Sequence, residues 1–235
     1  LGNSGGASET ASETVTITVD PVNDTPDITT MPDGIVTDDG PSDMDSIGGI
    51  VALPGGGYYQ VGADTDPTSD LIVVARYDAD GRLDTSFGTD GIVTIDSGGE
   101  YTPSTALLQS DGKLLISGTV DTSGIHVGAI LRLNADGTMD SSFGVEGVAL
   151  LNDPGVAFSL TRMALDDTGR ILVAGMNFTG AAGTTDGLLY RLLADGSIDT
   201  AFNGGAPVAI DLGGNETLLS VAVQDDGKIV VAGAN

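Results

Sequence analysis

An all-β fold of small antiparallel sheets is predicted by three features of the sequence. Apolar segments recur at a fixed period, Asp-Gly dipeptides separate neighbouring segments, and Gly supplies 36 of 235 residues, about twice the roughly 7% of average usage. The recurring glycines Gly62, Gly118, Gly175 and Gly233 each close an apolar run and lie 56, 57 and 58 residues apart. A second register agrees: Arg76 to Gly88, Arg132 to Gly144 and Arg191 to Gly204 repeat the pattern of RLNADGTMDSSFG. The third comprises DGIVTID from Asp90, EGVALLN from Glu146 and GAPVAID from Gly205.

Each unit reads as four strands. The first resembles Leu218 to Gln224, the second KIVVAG, the third LIVVAR and the fourth GIVTID. Asp111-Gly112, Asp167-Thr168-Gly169 and Asp226-Gly227 stand between the first two strands, and Asp-Gly tolerates the positive φ of a tight hairpin. Consecutive strands are therefore antiparallel neighbours. Leu71-Ile72-Val73-Val74-Ala75 is apolar at every position, so both faces of its sheet must be covered. A sheet covered on both sides by copies of itself is a propeller blade. A parallel β-helix has shorter coils without hairpin turns and fits less well.

The predicted architecture is a β-propeller fragment of about three and a half four-stranded antiparallel blades within residues 46–235. Full units span about 46–97, 103–153 and 159–211, with a partial one at 218–233. Residues 29–45 read as an acidic linker that contains an isolated outer blade strand, Gly34 to Asp38, 57 residues before the matching Gly91 register. That strand would complete the last blade of a closed ring, so an exposed edge is expected at the C-terminal unit. Residues 1–28 read as the end of a preceding β-sandwich domain and a linker. The expectation is a piece of a longer protein.

Composition removes most familiar chemistries. Eight Lys and Arg against 34 Asp and Glu leave a formal charge of −26, which repels nucleic acid and anionic lipid headgroups. Zero Cys excludes thiolate nucleophiles and Cys-based zinc sites, and one His, His126, cannot build a histidine cluster. No run approaches the roughly 20 apolar residues of a bilayer-spanning helix. Two Lys among so many Asp also fit salt adaptation, an origin of acidity that needs no calcium.

The alternation of a DGK-apolar-Gly segment with RxNxDGxxDxxFG resembles the delta-60 repeat family over about Gly34 to Asn235. Pro54-Gly55-Gly56-Gly57 departs from DGK, and Leu193 replaces Asn or Asp. The resemblance implies a propeller fold and a place in large secreted or surface bacterial proteins, not a reaction. Glu13 to Ile28, ETVTITVDPVNDTPDI, is similar to the last strand and linker of cadherin-like bacterial repeats, whose signature ends in PVND followed by Pro.

Candidate sites have competing readings. Asp20, Asn23 and Asp24 offer oxygens where cadherin-type junctions bind calcium, and form the candidate metal site; the alternative is a plain extended linker. Asp78, Asp80 and Asp84, and Asn134, Asp136 and Asp140, look like calcium loops around Gly. Their register is incomplete, and Asx turns account for it more simply. Arg76, Arg132 and Arg191 precede Asp84, Asp140 and Asp199 by eight residues. They would form either an anion-binding ring or ion pairs within each blade, and the pairs are preferred. Phe87, Phe143 and Phe202 read as core anchors. Asp167-Thr168-Gly169 provides the centre of a glycosidase Asp-box without its flanking Ser or aromatic residue.

The expected function is a noncatalytic binding, adhesion or spacer module at the bacterial cell surface or outside the cell. Its partners would be a surface ligand, protein or glycan, and neighbouring domains of the same chain, with no nucleic acid and no membrane insertion. The alternative is the propeller part of a secreted polysaccharide-active enzyme with catalytic residues elsewhere. Ionisable residues confined to one blade would favour an enzyme; repeat-periodic ones favour a scaffold.

Overall fold

The computed structural model of the chain describes residues 29–30, 36–37, 44, 46–64, 71–96, 98–121, 126–151, 157–178 and 185–235. Strands β1 (Thr29–Thr30) and β2 (Val36–Thr37) form an antiparallel pair with Thr29 opposite Thr37. Val36 and Thr37 belong to the segment read as an isolated outer strand, whose ends Gly34 and Asp38 lie outside the described residues.

Three four-stranded antiparallel sheets follow, as the repeat registers predict, each in the order of its sequence. Blade 1 comprises β3 (Ser46–Ala52), β4 (Tyr58–Asp64), β5 (Leu71–Tyr77) and β6 (Ile92–Asp96). Blade 2 comprises β7 (Glu100–Leu108), β8 (Leu114–Asp121), β9 (His126–Leu133) and β10 (Val148–Leu151). Blade 3 comprises β11 (Ala157–Leu165), β12 (Ile171–Phe178), β13 (Gly187–Leu192) and β14 (Val208–Ile210). A two-stranded fourth sheet, β15 (Thr217–Val223) and β16 (Ile229–Ala234), ends the chain. The 3-10 turn Asn203–Gly205 precedes β14.

Side chains alternate between the two faces of a strand, and here both faces meet another blade. On β8, Leu114 and Ile116 join Tyr59, Ile72, Val74 and Phe87 in the core between blades 1 and 2. The intervening Leu115 faces the other way, into the core with Phe158, Ile171 and Tyr190 of blade 3. This two-sided burial is why the middle strands are apolar at almost every position.

The hairpins between first and second strands close as their turn residues dictate. Gln109 donates its N–H to the Lys113 carbonyl around Gly112, and Gln224 does the same to Lys228 around Gly227, at 2.8 Å each. The glycines adopt φ of 84° and 78°, which a residue with a Cβ adopts only under strain. In blade 1 Leu53 donates to Gly57 across Pro54-Gly55-Gly56, so the departure from Asp-Gly preserves the turn.

Every first strand carries a β-bulge at one place: between Ile47 and Gly49, Pro103 and Thr105, Leu160 and Arg162, and Leu218 and Ser220. Bulges re-aim a side chain, and those at Ser104 and Thr161 are aimed at the next blade. Ser104 Oγ donates to the Leu160 carbonyl at 2.6 Å, and Thr161 Oγ1 donates to the Leu218 carbonyl. At the matching place in blade 1, Gly48 leaves room for Pro103.

Candidate functional site

The recurring arginines start from third strands, and two of the three reach out of their own blade. Arg76, Arg132 and Arg191 donate from Nε to Asp84, Asp140 and Asp199 at 2.9, 2.7 and 2.7 Å. Nη1 of Arg76 donates to the Ala135 carbonyl of blade 2 at 2.7 Å, and Nη1 of Arg132 to the Ala194 carbonyl of blade 3 at 2.6 Å. Each guanidinium lies over an aromatic ring, 5.1 Å from Phe87 and 4.5 Å from Phe143 and Phe202. Backbone bonds parallel these contacts: Gly88 N–H donates to the Asp136 carbonyl at 2.9 Å, and Gly144 N–H to Asp195 at 2.7 Å. All three arginines are thus ion-paired within their blade, and Arg76 and Arg132 also hold the Ala-Asp-Gly turn of the following blade, so that the hydrogen-bonding capacity of these two is spent on structure.

The loops that resemble calcium sites are Asx turns. Asp78 Oδ1 accepts from the Asp80 and Arg82 amides, both at 2.9 Å. Asp136 and Asp195 cap Thr138 and Ser197, whose hydroxyl and amide hydrogen bonds hold both carboxyls below the usual carboxylate range. Asp140 is driven lowest of all, first by Lys113, whose Nζ lies 2.8 Å away, then by Ser142 and Arg132. Asp166 at the next hairpin is lowered to about 2: burial opposes the shift, but Thr168 and Arg170 outweigh it.

His126 opens β9 opposite Asp121 on β8, with Nδ1 3.9 Å from Asp121 Oδ2. Sequence spacing did not reveal this cross-strand partner. Asp20, Asn23 and Asp24, the candidate calcium ligands, lie outside the described residues.

Three segments, 61–87, 109–143 and 167–202, match the family described as a domain of unknown function (DUF5122) beta-propeller. The repeats form propeller blades. No curated protein matches the chain. Among solved structures, a protein of unknown function from Bacteroides caccae is 15% identical, with a TM-score of 0.48 over 79% of this chain and 52% of that one. An endo-arabinase from Bacteroides thetaiotaomicron is 14% identical, with a TM-score of 0.49 over 84% of this chain and 76% of that one. The chain therefore spans about half the length of the first of these.

A further group of carboxylates comes together where blade 3 meets the fourth sheet. Asp186 immediately precedes β13, Asp211 follows β14, and Glu216 precedes β15. One oxygen from each lies within 4.8 Å of the others. Gly187 and Ile210 are cross-strand partners, so the antiparallel register sets Asp186 beside Asp211. Glu216 N–H donates to the Thr185 carbonyl at 2.7 Å and brings the fourth sheet to the end of blade 3. Asn177 accepts the Asp186 N–H at 2.7 Å and fixes the start of β13.

The registers show what was replaced. Glu216 occupies the position of Tyr101 and Phe158, both buried aromatics, and Asp186 that of Leu71 and Val127. Periodicity draws attention to residues that recur. Asp186 alone stands where the other full units carry only hydrophobes; Asp211 repeats Asp96, and Glu216 falls one residue before its strand as Asp45 does in blade 1.

Proposed function

We infer that the chain is a noncatalytic binding, adhesion or spacer module of a large secreted or surface protein. The observation that supports this reading is that two of the three repeat-periodic arginines fasten one blade to the next. Arg76 and Arg132 spend their donors on an aspartate, a serine and a neighbouring carbonyl, which leaves no free cationic ring for an anionic ligand. With a formal charge of −26, nucleic acid and anionic membranes are disfavoured partners, and a protein or glycan at the cell surface is the expected ligand class. Calcium held by Asp20, Asn23 and Asp24 would stiffen the linker to a preceding cadherin-like domain.

A panel of polysaccharides and matrix proteins tests the reading. Retention on one or more of them without release of reducing ends is expected. Release of reducing sugar by the purified chain would overturn the noncatalytic assignment in favour of a polysaccharide-active enzyme.

A further inference from the structure

The geometry points to a calcium site formed by Asp186, Asp211 and Glu216, which ties the fourth sheet to blade 3. The inference is independent of whether the module is catalytic and of the linker residues Asp20, Asn23 and Asp24.

Spacing is the first support. Oxygen ligands sit 2.3–2.6 Å from Ca²⁺, so two oxygens on one ion are at most about 5 Å apart. The oxygens offered by the three carboxylates meet that limit, at 4.8 Å or less.

The second support is an orphaned buried oxygen. Glu216 is 2% exposed, and while its Oε1 accepts the Gly214 N–H at 2.9 Å, Oε2 is buried without a hydrogen-bond partner. Buried charges are paired or coordinate metals. Among the described residues no Lys, Arg or His forms an ion pair with Glu216, Asp186 or Asp211, although all eight Lys and Arg lie within the described residues. The position of Glu216 is filled by Tyr101 and Phe158 in blades 2 and 3, at 3% and 0% exposure. A carboxylate that replaces a core aromatic needs a counter-charge in the same place.

Asp186 and Asp211 also keep capacity for a cation. Asp186 Oδ2 accepts from Asn177 Nδ2 at 3.3 Å, and Asp211 Oδ1 accepts the Gly213 N–H at 2.8 Å, so each has its second oxygen uncommitted among the described residues. Three carboxylates and a partly open approach suit a hard cation that completes its shell with water. Asp186 and Asp211 belong to blade 3 and Glu216 to the fourth sheet, so a bound ion would bridge the two.

Calcium titration of the 235-residue protein by calorimetry, in an Asp20→Ala/Asn23→Ala/Asp24→Ala background that removes the linker donors, tests the site. Expected is one ion per chain with a Kd of about 10⁻⁴–10⁻³ M, the range of extracellular modules. Glu216→Gln and Asp186→Asn should each weaken it at least about tenfold, whereas Asp225→Asn, an equal change of charge on the exposed hairpin, should not. Calcium should also slow amide exchange in β15 and β16 of the parent and not of Glu216→Gln. No binding at about 10 mM calcium, or binding that survives both Glu216→Gln and Asp186→Asn, overturns the site. Loss of binding only when the linker donors are removed would overturn it too, and would leave the linker as the calcium ligand.

Discussion

The two ends of blade 3 meet their neighbours very differently. Toward blade 2, thirteen buried side chains form one core, from Leu115 and Phe143 on one side to Phe158 and Tyr190 on the other. Toward the fourth sheet the buried cluster is Leu172, Ala174, Leu189, Leu218 and Val221. Leu115, Leu172 and Val230 hold one register position, and their exposures are 0%, 1% and 47%. The sequences of β8, β12 and β16 are nearly interchangeable, yet their environments are not. A blade's core is thus a property of the junction: an apolar strand is buried when another blade's sheet lies against its face.

Truncation of the ring at each junction should separate the two ends most. Phe143 is 0% exposed and stacks under Arg132, and a Cβ on Gly196 of the next blade would lie 2.8 Å from the ring. Phe143→Ala is expected to cost about 3–5 kcal/mol in denaturant unfolding, as for a fully buried ring. Phe202, in the same repeat position and only partly buried, should cost about half as much. Equal losses would break the comparison.

The arginines sharpen it further. Arg132 donates to Asp140, to Ser142 at 3.3 Å and to the Ala194 carbonyl, whereas Arg191 donates to Asp199. Arg132→Met should be more destabilising than Arg191→Met by about 2 kcal/mol, from the additional charged hydrogen bonds. A double-mutant comparison with Asp140→Asn and Asp199→Asn would apportion the ion-pair share.

A smaller effect is expected from acid. The folded-state values of Asp140 and Asp166 lie below the ordinary 3.8, so their contribution is full above the unfolded value and is lost as pH falls through the folded ones. Stability should therefore fall from about pH 4 toward and below about 2. Lys113 is the largest cause of the shift at Asp140, and Lys113→Met should move the acid-unfolding midpoint upward. An unchanged midpoint would mean that Ser142 and Arg132 suffice.

The repeat made much of the fold legible. Three registers fixed the sheets, and the Asp-Gly dipeptides fixed the hairpins, because both signals lie within one unit. What spans two units was not legible. The spacing of eight joined Arg132 to Asp140 but could not show its Nη1 on Ala194, 62 residues away. The bulge positions carry Gly48, Ser104, Thr161 and Leu219, which share no chemistry that would betray a common backbone shape. Glu216 escaped because its position recurs in no one residue type: the three full units carry Asp45, Tyr101 and Phe158 there. The Asp20, Asn23 and Asp24 reading lies in the segment before the blades, outside the described residues.

Amide hydrogen exchange resolved by strand, in calcium-free buffer, tests most directly whether the junction governs the blade. β8 and β12, covered on both faces, should exchange slowest, and β16 fastest, despite their matching sequences. Protection of β16 equal to that of β8 and β12 would contradict the account, because local sequence and not the neighbouring sheet would then set each blade's stability.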